Sequence, residues 1–511
     1  MLACTPQPAR TEPQDQSLFL VSRIPKSAQG TSGVRCPDGL SEGPQIPGRP
    51  AAISTMRSSP QDLTQGPVGR HLLRLSLPMM LGILSMVAFN IVDTYFVGQL
   101  GDRELAALTF TFPVILVIFS LIQGLGIAAT AVISKSIGLQ DRSKAARETT
   151  DSLFLSLIIA GLFIGLGLLS LKPLFRLIGA SSDLLPLLES YMQIWYLALM
   201  FVVVPFVGNS AIRATGDATT PSLIMIFAVI INAILDPLLI FGYGPFPELG
   251  MRGAAVATAL SRGATMVLSL GVLYFREKLI VLGVPDLGQV LGCWRAILRI
   301  GLPAGFSRMV TPISQSAFTA MLAGFNEHAV AAYGIGSRLE ILAMSLLFAL
   351  SASIGPFAGQ NYGRGRLERI RQGIRVGSLF SLGWGALMGL IYGVWGPALA
   401  DQFTDSPEVI ENAALFLSMV PLTYGLQGIS LLVNANLSTV NYPLRASALL
   451  VMQMVGIALP VAYVAQLWMG VPGVFLGIAS GYALGGLAAY LFNQRWMRLL
   501  EPPPQPQWTQ A

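Results

Sequence analysis

The sequence predicts an all-α membrane protein of twelve transmembrane helices, arranged as two six-helix lobes related by a parallel internal repeat. Three observations predict it. Apolar residues make up 53% of the 511 and charged residues only 11%, under half the usual charged fraction of a soluble domain. Charges are scarce because each one at mid-bilayer costs about 2.5–3.5 kcal/mol on insertion scales. Twelve apolar stretches are each long enough to cross a core of roughly 30 Å as helix, which takes about 20 residues. Finally, residues 76–150 match residues 301–375 without a gap at an offset of 225. Leu77-Pro78 falls on Leu302-Pro303, Ala106-Ala107 on Ala331-Ala332, Leu121 on Leu346, Gly138 on Gly363 and Lys144 on Arg369. Long-period duplication in a hydrophobic chain points to a transporter built from two halves with its substrate site between them. Because the copies share loop charge as well as pattern, both halves should run the same way through the bilayer.

In chain order, residues 1–65 read as a disordered N-terminal extension, rich in Pro, Ser, Gln and Gly. Their longest apolar run, Leu18–Val21, is too short for a signal-peptide core. Met56 is a more ordinary start, so residues 1–55 are expected to be dispensable or untranslated. The N-lobe then runs over 66–277, with spans centred near Leu84, Gln123, Ile159, Met200, Val229 and Met266. Residues 278–293 read as an inter-lobe linker lying as an amphipathic connector on the inner membrane surface. The C-lobe covers 294–497, with spans centred near Pro312, Leu347, Met388, Gly425, Met454 and Ala483, and a disordered tail follows over 498–511. Helices are required because lipid offers backbone groups no partner, and the alternating pattern of a barrel is missing.

Loop charge sets the orientation. Lys135, Arg142, Lys144 and Arg147 lie in the second loop, Arg276, Lys278, Arg295 and Arg299 flank the sixth, and Arg364, Arg366, Arg369, Arg371 and Arg375 fill the eighth. The odd loops hold few basic residues, and Asp401, Asp405, Glu408 and Glu411 make one of them acidic. The positive-inside rule therefore puts both termini in the cytoplasm, as in a multi-pass protein of the bacterial inner membrane. The net charge of +6 is this loop bias, not a nucleic-acid footprint. Cys4, Cys36 and Cys293 have no metal-ligand spacing, and His71 and His328, the only histidines, sit near no cluster of acids. Metal hydrolysis and Ser-His chemistry have no visible apparatus, so no enzyme is expected, and a monomer in the bilayer is.

Two acids lie well inside apolar spans: Asp93 in the first and Asp236 in the fifth. The i, i+4 spacing puts Asn232 on the same helix face as Asp236. Pro237 cannot donate to the Ala233 carbonyl, which leaves another oxygen open on that turn. Two carboxylates and an amide oxygen form a hard-oxygen set suited to Na⁺ or to a proton. Burial and a second carboxylate both disfavour the charged form, so one of the pair should hold a proton near neutral pH and release it when a cation arrives. The plainer alternative is that each Asp pairs with Arg262 or caps a neighbouring helix, but intramembrane acids are functional by default. Neither Asp has a counterpart in the second half, where the repeat brings Phe318 and Ala458. In the second half, Arg308 and Glu340 could form an ion pair. Arg338 is two residues from Glu340 and cannot face it.

Several motifs carry a family resemblance: Pro78, Asn90-Ile-Val-Asp93-Thr-Tyr-Phe-Val-Gly98, Asn232-Ala-Ile-Leu-Asp236-Pro237, Gly253-Ala-Ala-Val-Ala-Thr258, Ala332-Tyr-Gly-Ile-Gly-Ser-Arg338 and Pro356-Phe-Ala-Gly-Gln-Asn-Tyr-Gly363. The chain resembles the multidrug and toxic compound extrusion (MATE) family over roughly residues 70–497. That resemblance implies two six-helix lobes around a central cleft. It also implies antiport of small organic, often cationic, compounds against Na⁺ or H⁺, with no cofactor beyond that coupling ion. It assigns the N-lobe cation site to Asp93, Asn232, Asp236 and Thr258, with Thr265 two turns from Thr258. Independently of the resemblance, Pro78 and Pro237 are expected to be weak points where the first and fifth helices can bend. Some branches of the family carry a further acid in the seventh helix, but residues 301–322 contain no Asp or Glu. A related flippase for lipids or lipid-linked sugars is the nearest rival, and such proteins line the cleft with basic residues. Here the candidates are Arg262, Arg308 and Arg338. An intramembrane aspartyl protease would also need two membrane acids, but its Gly-x-Gly-Asp signature is absent.

Overall fold

A computed structural model of the chain describes residues 62–283 and 286–499. Among them there is no strand, as expected where only helices can satisfy their own backbone in lipid. Twelve rods follow one another. Helices α1 (Val68–Gly98), α2 (Asp102–Gly138), α3 (Arg142–Leu177), α4 (Leu185–Leu197 and Met200–Ala214, bent by 41°), α5 (Thr219–Ile240) and α6 (Met251–Arg276) form the first lobe. Helices α7 (Leu287–Ala323), α8 (Glu327–Gly363), α9 (Leu367–Asp401), α10 (Pro407–Thr439), α11 (Pro443–Met469) and α12 (Val471–Leu499) form the second. All but α7 are apolar enough to cross a bilayer, α4 as a bent pair. With 37 residues α7 has the length, but Arg299, Arg308 and a run of hydroxyl and amide side chains make it polar for a span.

Local chemistry explains the ends. Asp141 caps α3 by accepting from the Lys144 N–H at 2.9 Å, Asp286 caps α7 through Gly288 at 3.0 Å, and Asn326 caps α8 through Ala329 at 2.7 Å. A cap at Asp286 starts α7 inside the stretch read as linker, so the helix begins at Leu287 and the connector is shorter than residues 278–293. The last turn of α6 (Val272–Arg276) and the middle of α11 (Met452–Ala458) widen to π-helix, and α10 narrows to a 3₁₀ turn at Pro421–Thr423.

Each lobe has its own packed interior. Phe175, Leu188, Met192 and Tyr196 are among the fully buried side chains of the first, and Phe416, Tyr424 and Phe475 of the second. A third cluster joins the lobes at the end carrying the basic loops: Leu63, Val68, Leu72 and Leu75 pack with Leu350, Ile354, Phe357 and Ile370. Small residues let the helices approach there, as in other membrane bundles. A Cβ on Gly138 would strike the Gln360 backbone, and one on Gly363 would strike the Lys135 carbonyl. These contacts are repeat mates crossing one another, since Gly138 and Gly363, and Lys135 and Gln360, are each 225 apart. On α7, Gly301 and Gly305 meet α2 around Gly124 and Leu121 in the same way.

The segment before α1 corrects the expectation that the extension runs to residue 65. Leu63 and Thr64 are buried, and the chain here is gripped by the second lobe. The Leu63 N–H donates to Gln360 Oε1 (3.1 Å), while Asn361 Nδ2 (3.2 Å) and Arg369 Nη2 (3.3 Å) donate to the Leu63 carbonyl. Arg369 Nη1 reaches the Gly66 carbonyl at 3.0 Å, and Asp62 lies 3.7 Å from Arg364. Gln360 also donates to the Ala214 carbonyl at the end of α4 (2.9 Å), and Arg364 Nε to the Gly138 carbonyl (3.0 Å). Residues 1–61 and 500–511, where the remaining extension and most of the tail were placed, lie outside the described residues.

Candidate functional site

The acids of the first lobe sit where α1, α5 and α6 meet. Helix α1 lies along α5, with Gly82 against Ser222 and Met225. Helix α6 backs onto α5, with Gly253 against the Leu239 carbonyl. Asn232 and Asp236 are fully buried one turn apart on α5, and Asn232 Nδ2 donates to Asp236 Oδ1 at 3.1 Å. Asp93, on α1, is close enough for its charge to act on Asp236 and on Arg262. Tyr191, buried on α4, lies within reach of both carboxylates' fields.

The decisive feature is what these groups lack. Asp93 Oδ1, Asn232 Oδ1, Asp236 Oδ2 and the Thr258 hydroxyl are all buried without a hydrogen-bond partner among the described residues. A buried polar atom left unpaired costs about 1–3 kcal/mol, and native structures keep few of them. These four, among fifteen such atoms in the described residues, come from α1, α5 and α6 and are candidates to meet a ligand that binds oxygen. The two candidate threonines differ clearly: Thr265 donates its hydroxyl to the Arg262 carbonyl (2.6 Å), while Thr258 is free. Among the described residues no ion pair joins either Asp to Arg262. That guanidinium instead lies 4.3 Å from the centre of the Phe89 ring. Two carboxylates, an amide oxygen and a hydroxyl fit a hard monovalent cation or a proton. No group of three or more His, Cys, Asp or Glu that would hold a transition metal occurs among the described residues.

Pro78 and Pro237 lie inside α1 and α5. In the second lobe the structure does not form the Arg308–Glu340 pair. Glu340 Oε1 accepts from the Tyr482 hydroxyl of α12 at 2.7 Å, and Arg308 makes no ion pair among the described residues. Glu340 turns to Tyr482 within the second lobe, while Arg308 falls on the face of α7 whose Gly301 and Gly305 meet α2.

Comparison with known proteins agrees with this architecture. A family model described as MatE matches residues 78–238 and again 303–464, the two matches beginning at Pro78 and its repeat mate Pro303. The chain is 35% identical to a protein named FAD transporter from Shewanella oneidensis, over 85% of this chain and 96% of that one. It is 26% identical to the multidrug export protein MepA of Staphylococcus aureus, over 84% of this chain and 94% of that one. The crystal structure of the Vibrio cholerae MATE transporter VcmN in the bent form superposes with a TM-score of 0.80 at 30% identity, covering 84% of this chain and 97% of that one. MATE proteins move small molecules across membranes and are not enzymes. This multi-pass, two-lobed chain belongs to the MATE transporter family.

Proposed function

We propose that the protein is a secondary active exporter of small organic molecules, driven by Na⁺ or H⁺ entering against them. It would act in the bacterial inner membrane with both termini cytoplasmic. The observation that carries this reading is the set of four unpartnered oxygens on Asp93, Asn232, Asp236 and Thr258. With the basic loops inside, the joined end of the lobes would be the cytoplasmic face and the cleft would open outward, the facing that releases substrate. An ion entering the site from outside gives the four oxygens their missing partner and draws α1 toward α5. Pro78, inside α1, supplies a weak point for that movement. Ion and substrate need not bind together, because each can favour a different facing of the same lobes. A ligand shifts such an equilibrium only by its differential affinity for the two states.

The similarity to a protein named FAD transporter, over nearly its whole length, favours a flavin-like substrate as a second reading beside the broad organic-cation range expected from the motifs. Purified protein in vesicles with an imposed Na⁺ or H⁺ gradient, offered ethidium and FAD separately, tests both. Gradient-driven transport of either compound supports the exporter, and the compound moved selects the reading. Transport that ignores both gradients sinks it.

A further inference from the structure

The second lobe carries two arginines without ion pairs on α7 and α8, and among the described residues Glu340 at that depth is turned to Tyr482. On α7, Gly301 and Gly305 touch α2, and Arg308 follows on the same helical face at i+7 and i+3. On α8, Ser353 accepts from Ser76 of α1 at 3.1 Å. Going back along that face come Ala349, Leu342 and Arg338, the last two exposed. By helical rise, Arg308 lies about 22 Å and Arg338 about 16 Å from the helix ends remote from the joined face. Neither has an ion pair or side-chain hydrogen bond among the described residues. Glu340 cannot neutralise them, because it points into the lobe and holds the Tyr482 hydroxyl. A guanidinium at this depth is too costly to leave in lipid, and both lie on faces that point to the opposite lobe. A wall of the cleft between the lobes is the setting that keeps both out of lipid.

We infer that the cleft wall of the second lobe is an oxyanion subsite, in which Arg308 and Arg338 grip the phosphate of a soluble organic substrate. This rests on the cleft being the transport path, and it selects an anionic substrate class over the cationic one. A guanidinium matches phosphate with two parallel N–H donors, and two of them on neighbouring helices meet a group bearing more than one charged oxygen. On the opposite wall, Arg262 stacked on Phe89 adds positive charge, so the acids of the first lobe do not reverse the balance.

Equilibrium binding in detergent, with no gradient, isolates this claim from ion coupling. The probes are riboflavin, riboflavin 5′-phosphate, ethidium and dihexanoyl phosphatidylglycerol. Wild type should bind riboflavin 5′-phosphate at least about tenfold tighter than riboflavin, the gain of one charge-assisted hydrogen bond. The double variant Arg308→Gln/Arg338→Gln should lose that preference while binding riboflavin as before, and Arg308→Lys/Arg338→Lys should recover part of it. Unchanged riboflavin affinity also shows that the variant is folded. Equal affinity of wild type for the two flavins, tighter binding of ethidium, or a preference that survives the double Gln change would overturn the subsite. Tighter binding of the short-chain lipid than of the flavin phosphate would overturn the soluble substrate and give the site to a headgroup. Proton- or Na⁺-driven transport has no bearing on any of these outcomes.

Discussion

Gln360 is the residue whose removal should most change which way the transporter faces. Its amide bonds two parts of the chain that belong to the first lobe: it accepts from the Leu63 N–H (3.1 Å) and donates to the Ala214 carbonyl (2.9 Å). Both bonds are buried, with Gln360 itself only 1% exposed. Gln360→Ala leaves one donor and one acceptor without partners, at about 1–3 kcal/mol each. When the lobes part at this face the same groups meet water, so the penalty falls on the joined state alone. Allowing for water entering the gap left by the side chain, a net of about 2 kcal/mol is reasonable, which is about a 30-fold shift toward the form open at this face. Nitroxides at Ser143 and Glu368, both exposed and one on each lobe, report the shift by double electron–electron resonance in a variant whose own cysteines are serine. The expected result is a longer-distance population that grows in Gln360→Ala. A distance distribution that overlays the wild type would refute the idea that Gln360 holds the lobes together.

Two further outcomes follow from single groups. Tyr482→Phe removes the one hydrogen bond that the half-buried Glu340 carboxyl makes among the described residues and should lower thermal stability by about 1–3 kcal/mol, whereas Glu340→Gln, which still accepts from Tyr482, should cost less. A melting temperature lower for Glu340→Gln than for Tyr482→Phe would contradict this. In the α4–α5 loop, burial pushes the Asp217 carboxyl up, but bonds from the Thr220 hydroxyl (2.6 Å) and N–H (3.0 Å) and from Arg276 outweigh it and hold it below the ordinary 3.8. A carboxyl depressed in the folded state stabilises above its unfolded value and loses that contribution as the pH falls through the folded one. Arg276→Gln should therefore lower stability at pH 7 by about 1 kcal/mol, discounted for partial exposure, and the gap from wild type should close in strong acid. A gap that widens on acidification would show the sign to be wrong.

Much of this was legible in the sequence, for identifiable reasons. Every predicted span centre falls inside its helix, because lipid imposes one length and one composition on each crossing. Asn232 and Asp236 were readable as a pair because their contact is set by spacing along one helix. Contacts between distant segments were not readable. The grip on Leu63 comes from Gln360, Asn361 and Arg369, some 300 residues away, and an extension poor in apolar residues gave no sign of it. Glu340 and Arg308 looked like partners because their charges are opposite and Arg338, two residues from Glu340, cannot face it. Whether they meet depends on where α12 places Tyr482, which no local pattern encodes. The choice between Thr258 and Thr265 was also hidden, since both have the right chemistry and only the carbonyl of Arg262 decides which hydroxyl is taken.

The central claim is that the oxygens of Asp93, Asn232, Asp236 and Thr258 bind the coupling ion and that this binding opposes substrate. Equilibrium affinity for a fluorescent substrate, titrated in detergent across pH and across Na⁺ concentration, tests it most directly. In the wild type, affinity should weaken as Na⁺ rises or as pH falls, according to which ion is used. In Asp93→Asn and Asp236→Asn that dependence should disappear while the protein stays folded and still binds substrate, since removing a charge from the membrane does not hurt insertion. Affinity that is insensitive to both ions in the wild type, or a dependence that persists undiminished in both variants, would contradict the account.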